Sequence, residues 1–468
     1  MIIRSLKEIE KMVTGFGLKE KFKNINIEGV STDSRQTKYG QLFIPLIGEK
    51  FNGHKFIGQA IEKGAVASLW NKDEPIPDID FPFILVEDTL KALQILAKEY
   101  MGQLSTKVIG ITGSNGKTST KDILASLLST KFKTQKTKGN FNNFIGLPLT
   151  ILDLDEDTEM AVLEMGTDKF GEISLLTSIA KPDIAIITNI GEAHLDDLIT
   201  KDNVAKAKLE ILEGLAPDGL FVYYGDDPVL KRQVKNMEIK QKILTYGLEK
   251  SNDYQYELIN ADERGIAFKL KSPDEEEFFL PMLGKHNMHN AVAAIMVARY
   301  LGISYPLIRQ GLNKVEKTGM RNELIQAQGF SILNDSYKSN PSSVLAALDT
   351  LYSMKEYGQK IVVLGDMLGI GKEEVELHKE IGRKIDPSQV DYLFTIGPLA
   401  EHISETAKAN FGEDRVIICS SKGQVVERIK EIIKPNALIL VKASRPLELE
   451  EVVYQLEREL ILTKDKVV

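Results

Sequence analysis

The sequence predicts an α/β protein of three domains, the central one a mostly parallel sheet carrying a phosphate-loop-type turn. Three observations predict it. A β-branched run, Val108 to Thr112, meets a turn with Gly113 and Gly116 and then a segment with Ile123, Leu124, Leu127 and Leu128 at helical spacing. Further strand-like runs alternate with helical patterns to about residue 317, which implies a parallel sheet covered on both faces. The same rhythm resumes from about residue 318, as a second doubly wound unit. A chain of 468 residues is also too long for one core.

Composition narrows the class. Hydrophobic content of 43% and charged content of 27% are those of a soluble globular protein. A net charge of −8 without a basic block argues against a general nucleic-acid binder. The single cysteine, Cys419, excludes a disulfide framework and fits a reducing cytosol. The charged, periodic N-terminus is unlike a signal peptide, and no apolar run reaches membrane-span length, so the expectation is a cytoplasmic protein without membrane insertion.

Residues 1–105 form a mixed segment. Strand-like Gln41–Pro45 and Phe83–Val86 alternate with helical patterns such as Lys91 to Tyr100. Within it, Ser31-Thr-Asp-Ser-Arg35 gathers hydroxyls and an arginine suited to phosphate or sugar recognition, or equally to a capping turn begun by Asp33 or Ser34.

Residues 106–317 hold the glycine turn. Backbone N–H groups of Gly113, Ser114, Asn115 and Gly116, the helix dipole and the Lys117 ammonium suit an anion, with Thr118 and Ser119 opening the helix. The general loop pattern wants glycine at 111, where the chain has Ile111; Gly110 stands one residue early. Strands are expected at Met160–Glu164, Ile184–Thr188 and Leu220–Tyr224, and ligands gather at the carboxyl ends of such strands. There Glu164 can face a metal held at the phosphate loop, or be an exposed strand-end acid. His194 follows another strand end and is either a metal-site residue or structural. In the helical stretch Thr200–Leu215, Lys208 falls on the apolar arc of Val204, Ala205, Ile211, Leu212 and Leu215. A lysine there must be paired, deprotonated or modified, or else lay its stem on the core and its head in water. Asn287 and Asn290, one turn apart, suit a base edge or a cap.

Residues 318–468 place Arg321 at the junction. Asp335, Tyr337 and Asn340 sit at one strand's end, and Lys442, Ser444 and Arg445 at another's. Solvated loops and a binding site both fit, and the shared location favours the site.

Taken together, these motifs resemble the Mur ligase family along essentially the whole chain. Gly110-Ile-Thr-Gly-Ser-Asn-Gly-Lys-Thr118 is similar to the family's phosphate loop, displaced glycine included. Thr137-Lys-Gly-Asn-Phe-Asn-Asn-Phe-Ile-Gly-Leu-Pro-Leu-Thr150, Glu164-Met-Gly166, Thr188-Asn-Ile-Gly-Glu-Ala-His194, Asp335-Ser-Tyr-Lys-Ser-Asn-Pro341, Leu364-Gly-Asp-Met367 and Lys442-Ala-Ser-Arg445 follow in the family's order. The resemblance implies a UDP-substrate-binding domain (1–105), a central ATP-binding ligase domain (106–317) and a C-terminal Rossmann-like domain (318–468). It is nearest to the branch that adds D-alanyl-D-alanine to UDP-N-acetylmuramoyl-tripeptide. It implies ATP and two magnesium sites, with Lys117 on the phosphates, Thr118, Glu164 and His194 at the metals, and Lys208 as a carbamylated lysine. Asn290 and Arg321 would serve the nucleotide, Asp335 its ribose, and Tyr337 and Asn340 its base. Ser34, Arg35, Asn142 and Asn143 would hold the UDP-sugar substrate, with Lys442, Ser444 and Arg445 also on the substrate side. A monomer is expected. The alternatives are a Mur-type ligase with another acceptor or amino acid, and an inactive nucleotide-binding homologue. The chain departs from the pattern at Asn52 (usually Asp), Lys338 and Ser339 (usually Asn-Ala), Gly369 (an acid), Leu209 (Gly) and Ala443 (Gly).

Overall fold

Alternating apolar residues in the run 107–112 point to opposite faces of a strand, and both faces are covered, so the strand is buried from Val108 onward. The computed structural model describes residues 1–192 and 195–459, without the side chain of Glu413. Around that strand lies a nine-stranded sheet in the order Glu276–Leu280, Gly265–Leu270, Tyr254–Asp262, Lys242–Gly247, Leu220–Tyr224, Ile184–Ile187, Lys107–Thr112, Met160–Glu164, Thr134–Lys136. Pairings from Thr134 to Tyr254 are parallel. The last three strands form an antiparallel meander absent from the sequence reading. After Lys107–Thr112 the chain runs out to the edge strand Thr134–Lys136. It returns as Met160–Glu164 on one side and Ile184–Ile187 on the other, so the glycine turn lies at a switch point.

The C-terminal sheet runs Glu323–Gln326, Phe330–Asn334, Ala437–Lys442, Gln359–Gly365, Tyr392–Ile396, Val416–Cys419, parallel except at its first pair. Its second and third strands bring Asp335 and Lys442 side by side. The N-terminal unit has four short parallel strands, Val30–Ser31, Leu42–Phe43, Ala67–Asn71 and Phe83–Val86. The α/β class, the parallel-dominated sheets and the doubly wound second unit are as the sequence predicts.

The cores divide unevenly. Ile2, Leu6, Leu93, Leu96 and Tyr100 of the N-terminal unit pack in one cluster with Leu147, Ile151, Leu163, Leu176 and Phe221 of the central unit. The C-terminal unit keeps two clusters of its own, one around Leu348 and Leu364 and one around Ile332 and Ile439; Leu283 reaches the first from the central side. It meets the central unit largely through polar contacts. Asp122 accepts from Thr318 N (3.0 Å) and Thr318 Oγ1 (2.7 Å), Gly371 N donates to Asp196 Oδ1 (2.9 Å), and Leu195 N donates to Gly369 O (3.2 Å).

One expected helix is shorter than read. Thr200 caps it by accepting from Asn203 N, but the α-helix is Lys201–Leu209, followed by a 3₁₀ turn, Glu210–Glu213. Two outside contacts redirect that turn. Thr177 Oγ1 takes the Ile211 carbonyl (3.0 Å), and Glu210 accepts from Gly171 N and Ser174 N. Among the described residues no helix is long and apolar enough to cross a membrane.

Candidate active site

The glycine turn is held by the strand beside it. Asn189 Oδ1 accepts from Asn115 N and its Nδ2 donates to Asn115 O, both at 3.0 Å, while Thr188 Oγ1 donates to Asn115 O at 2.6 Å. Gly191 N donates to Ser114 Oγ (2.9 Å), and Asp227 fixes that second loop by accepting from Ile190 N (2.8 Å). Two glycines allow this approach. At Gly113 (φ +147°) a Cβ would lie 1.9 Å from Thr188 Oγ1, and at Gly116 (φ +81°) 2.4 Å from Asn290 Oδ1. Gly116 is followed directly by the helix Lys117–Leu128, so the first N–H groups of that helix face a cavity of about 680 Å³. Lys117 folds back onto the turn, donating to Gly113 O (2.7 Å) and Ser114 O (3.4 Å). Burial lowers its pKa, with Glu164 opposing the shift and Arg321 adding to it.

Glu164 ends its strand 1% exposed, facing the turn. Its Oε2 accepts from Thr118 Oγ1 and its Oε1 from Asn142 Nδ2, both at 2.8 Å, while Glu164 N donates to Thr137 Oγ1 (2.9 Å). The strand-end acid is therefore buried and aimed at the loop. A buried carboxylate and a hydroxyl beside a phosphate cradle are hard oxygen donors of the kind magnesium takes, with phosphate oxygens and water completing its shell. Among the described residues no cluster of three His, Cys, Asp or Glu could hold a metal alone. His194 lies outside the described residues.

Lys208 is 1% exposed. Burial drives its pKa well below the ordinary lysine value, Lys117 and Lys338 push it further, and Asp168 opposes them. It does not line the cavity but sits behind it, so its head does not reach water in the way an exposed lysine's would. Burial thus disfavours the ammonium form of this amine.

The far wall comes from the C-terminal unit. Lys442 Nζ donates to Asp335 Oδ2 (2.6 Å) and to Lys338 O (2.8 Å), and Asp335 Oδ1 accepts from Asn322 N (3.2 Å). The Arg321 guanidinium lies over the Tyr337 ring at 4.2 Å, and its buried Nε has no hydrogen-bond partner among the described residues. Lys338 enters the same cavity; burial and Lys117 lower its pKa to about 7. Asn340 caps the helix Pro341–Ser353 and reaches the glycine turn, donating to Asn115 Oδ1 at 3.0 Å. Asn290 Nδ2 donates to Asn287 Oδ1 (2.9 Å), and beside this pair His286 and His289 line the wall. His289 Nδ1 is hydrogen-bonded to Tyr256 Oη, and its ring lies 5.2 Å from that of Tyr224.

Residues Ser114 to Ser119, Asn142, Asn143, Glu164, Asn290, Arg321, Asp335, Tyr337 and Lys442 thus share one cavity. Asn143 also braces the entry to the helix Gly146–Leu152, accepting from Ile145 N and Gly146 N. Ser34, Arg35, Ser444 and Arg445 do not line it. Ser34 donates to Gln59, Arg35 is exposed and pairs with Asp33 (2.8 Å), Arg445 pairs with Glu450, and Ser444 Oγ accepts from Leu368 N (2.8 Å). Sequence reasoning missed Asn189, Asp227, His286, His289, Asp168 and Lys338. The pins Asn189 and Asp227 each follow an apolar strand, and that position was the available signal.

Three family models match the chain: "Mur ligase family, catalytic domain" over residues 26–101, "Mur ligase middle domain" over 111–298, and "Mur ligase, glutamate ligase domain" over 320–445. The chain is 47% identical over 457 residues to the UDP-N-acetylmuramoyl-tripeptide–D-alanyl-D-alanine ligase of Bacillus subtilis (strain 168), covering 97% of this chain and 99% of that protein. Among solved structures it is similar to MurF from Acinetobacter baumannii, with a TM-score of 0.87, 28% identity, and 98% and 100% of the two chains covered. It is similar also to MurF ligase from Thermotoga maritima in complex with ADP, with a TM-score of 0.80, 28% identity, and 92% and 97% covered.

Proposed function

The chain belongs to the Mur ligase family, and we propose that within it the protein joins D-alanyl-D-alanine to UDP-N-acetylmuramoyl-tripeptide in an ATP-dependent, ADP-forming step of peptidoglycan precursor synthesis. The observation that carries this reading is the Thr118–Glu164 contact at a phosphate loop, in a cavity whose far wall brings Arg321, Asp335 and Lys442 from a second sheet.

The γ-phosphoryl group moves to the terminal carboxylate of the acceptor. A carboxylate oxygen bonds to phosphorus, the bond to the bridging oxygen breaks, and ADP leaves. The dipeptide amine then attacks the acyl carbon and loses a proton, and phosphate departs as the amide forms. Catalysis rests on alignment and charge neutralisation rather than on a protein nucleophile. Lys117 leaves the turn carbonyls to meet the phosphates, with the helix N–H groups behind it. Magnesium, held by Thr118, Glu164 and, beyond the described residues, His194, would neutralise phosphate oxygens when bound. Arg321 supplies an unpartnered buried donor, and Asp335, fixed by Lys442, suits a ribose hydroxyl. Asn290, Tyr337 and Asn340 complete the nucleotide side. Lys208, whose ammonium form burial disfavours, suits carbamate formation: the amine nitrogen attacks carbon dioxide, an N–C bond forms and a proton leaves, giving an anion that would fit a second magnesium site.

We assign the UDP-sugar to residues 1–105 with Ser34 and Arg35, together with Asn142 and Asn143, the nucleotide to 106–317, and closure over it to 318–468, with Ser444 and Arg445 on the substrate side. Use of ATP and a UDP-linked substrate supports a cytoplasmic location. The test is phosphate release that requires both UDP-N-acetylmuramoyl-tripeptide and D-alanyl-D-alanine. Formation of AMP and pyrophosphate, or turnover with a different acceptor or amine only, would overturn the reading.

A further inference from the structure

We propose that Lys338 is a second cation on the transferring phosphoryl group, brought from the C-terminal unit to face Lys117 across the cavity. The inference rests on the reading above for its substrate and on the geometry for its position.

Lys338 lines the same cavity as Lys117, Thr118, Glu164 and Asp168. The charges that act on it are Lys117 and Glu164 of the turn end, together with Asp168 and Arg321, and it acts in turn on Lys208. Asp335, by contrast, is held at the other end by Lys442 and Asn322. The Lys338 side chain therefore serves the terminal phosphate rather than the ribose. Its backbone is fixed from two directions: Lys442 Nζ donates to its carbonyl at 2.8 Å, and Asn340, two residues on, donates to Asn115 of the glycine turn at 3.0 Å. Position and turn thus move together, so the ammonium reaches the phosphoryl group only when the C-terminal unit is seated.

The chemistry asks for such a group. Lys117 approaches from the turn, where it donates to the carbonyls of Gly113 and Ser114. The non-bridging oxygens of the transferring group also need neutralising from the side of the C-terminal wall, which the turn's donors do not cover. An ammonium there is drawn to its charged form by the phosphate dianion beside it.

The test uses the full-length protein with ADP and with β,γ-methylene-ATP, each titrated calorimetrically in magnesium. Lys338→Met and Lys338→Asn should weaken the analogue at least about tenfold and leave ADP within about twofold, and Lys338→Arg should recover most of the difference. In turnover, kcat should fall about a hundredfold in the Met variant with little change in KM for the dipeptide. Thermal unfolding of each variant shows whether it is folded, and the arginine and asparagine variants carry the test if the methionine variant is not. Equal weakening of both nucleotides, no weakening of either, or an effect confined to KM for D-alanyl-D-alanine would overturn the proposal. The nucleotide comparison needs no acceptor. A wild-type protein that keeps the ADP-versus-analogue difference but turns over no tested pair would sink the substrate assignment and leave Lys338 where it is.

Discussion

Asn340, the cap of the helix Pro341–Ser353, donates its Nδ2 hydrogen to Oδ1 of Asn115 in the glycine turn, 225 residues away in sequence, at 3.0 Å. Asn115 in turn donates from Nδ2 to Ser342 Oγ at 3.0 Å. The residue that begins a helix in one unit is thus the residue that touches the anion site of another.

That bridge predicts coupling. Asn115→Ala and Asn340→Ala should each raise KM for ATP, roughly threefold to tenfold, and Asn340→Ala should also cost about 1 kcal/mol of stability through the lost cap. In the double variant the effects on ATP should fall short of additive, by about 0.5 kcal/mol or more. Strict additivity in a kinetic double-mutant cycle would show that the bridge carries no energy.

Lys208→Ala should reduce turnover by about a thousandfold or more, because it removes the amine proposed to become an anion beside Lys117. Bicarbonate or a short-chain carboxylic acid should restore part of the rate in a phosphate-release assay. Full activity in the alanine variant would reduce the lysine to packing.

Gly113→Ala should unfold the turn. Its φ of +147° strains any side chain, and the added Cβ would meet Thr188 Oγ1 at 1.9 Å. A loss above about 3 kcal/mol, with nucleotide binding abolished, is expected by denaturant titration. Gly412→Ala is the control: φ is +81° with nothing within 4 Å, so the cost should stay near 1 kcal/mol.

Stability should fall with acid through His289. Burial holds its pKa down at about 4, with His286 adding to the shift and Asp226 opposing it, and its ring is enclosed by Tyr224 and Tyr256. The unfolded chain takes up this proton near pH 6.5 and the folded chain only near 4. The stabilisation is therefore complete above about 6.5 and is lost as pH drops toward 4, at about 1.4 kcal/mol per pH unit. His289→Gln should flatten that limb of a stability-versus-pH curve; an unchanged slope would assign it to other groups.

Legibility followed the range of the forces involved. Lys117, Thr118 and the turn glycines could be read because strand, turn and helix start are fixed by neighbours within a dozen residues. Lys208 could be read as buried because a helical arc exposes the conflict between an ammonium and its apolar neighbours. Asp227 was legible as the cap before Pro228 but not as the pin on Ile190, and Asn189 and His289 gave only weaker signals. Asn189 owes its role to the backbone of a turn, and His289 to rings, far away in sequence. The meander Tyr254–Leu280 escaped for a related reason: its outward face is charged, as at Glu257 and Glu277, and only pairing reveals its inward face.

The uneven division of the cores has a consequence for how the molecule comes apart. Units that share an apolar cluster melt as one body, whereas units joined by polar contacts leave water free to take over each contact as it opens. Differential scanning calorimetry of the ligand-free protein should therefore resolve two transitions. Residues 1–317 would form one cooperative block and the C-terminal sheet another. A nucleotide bound between them would draw the two transitions together, turning a hinge between independent bodies into part of one folded whole.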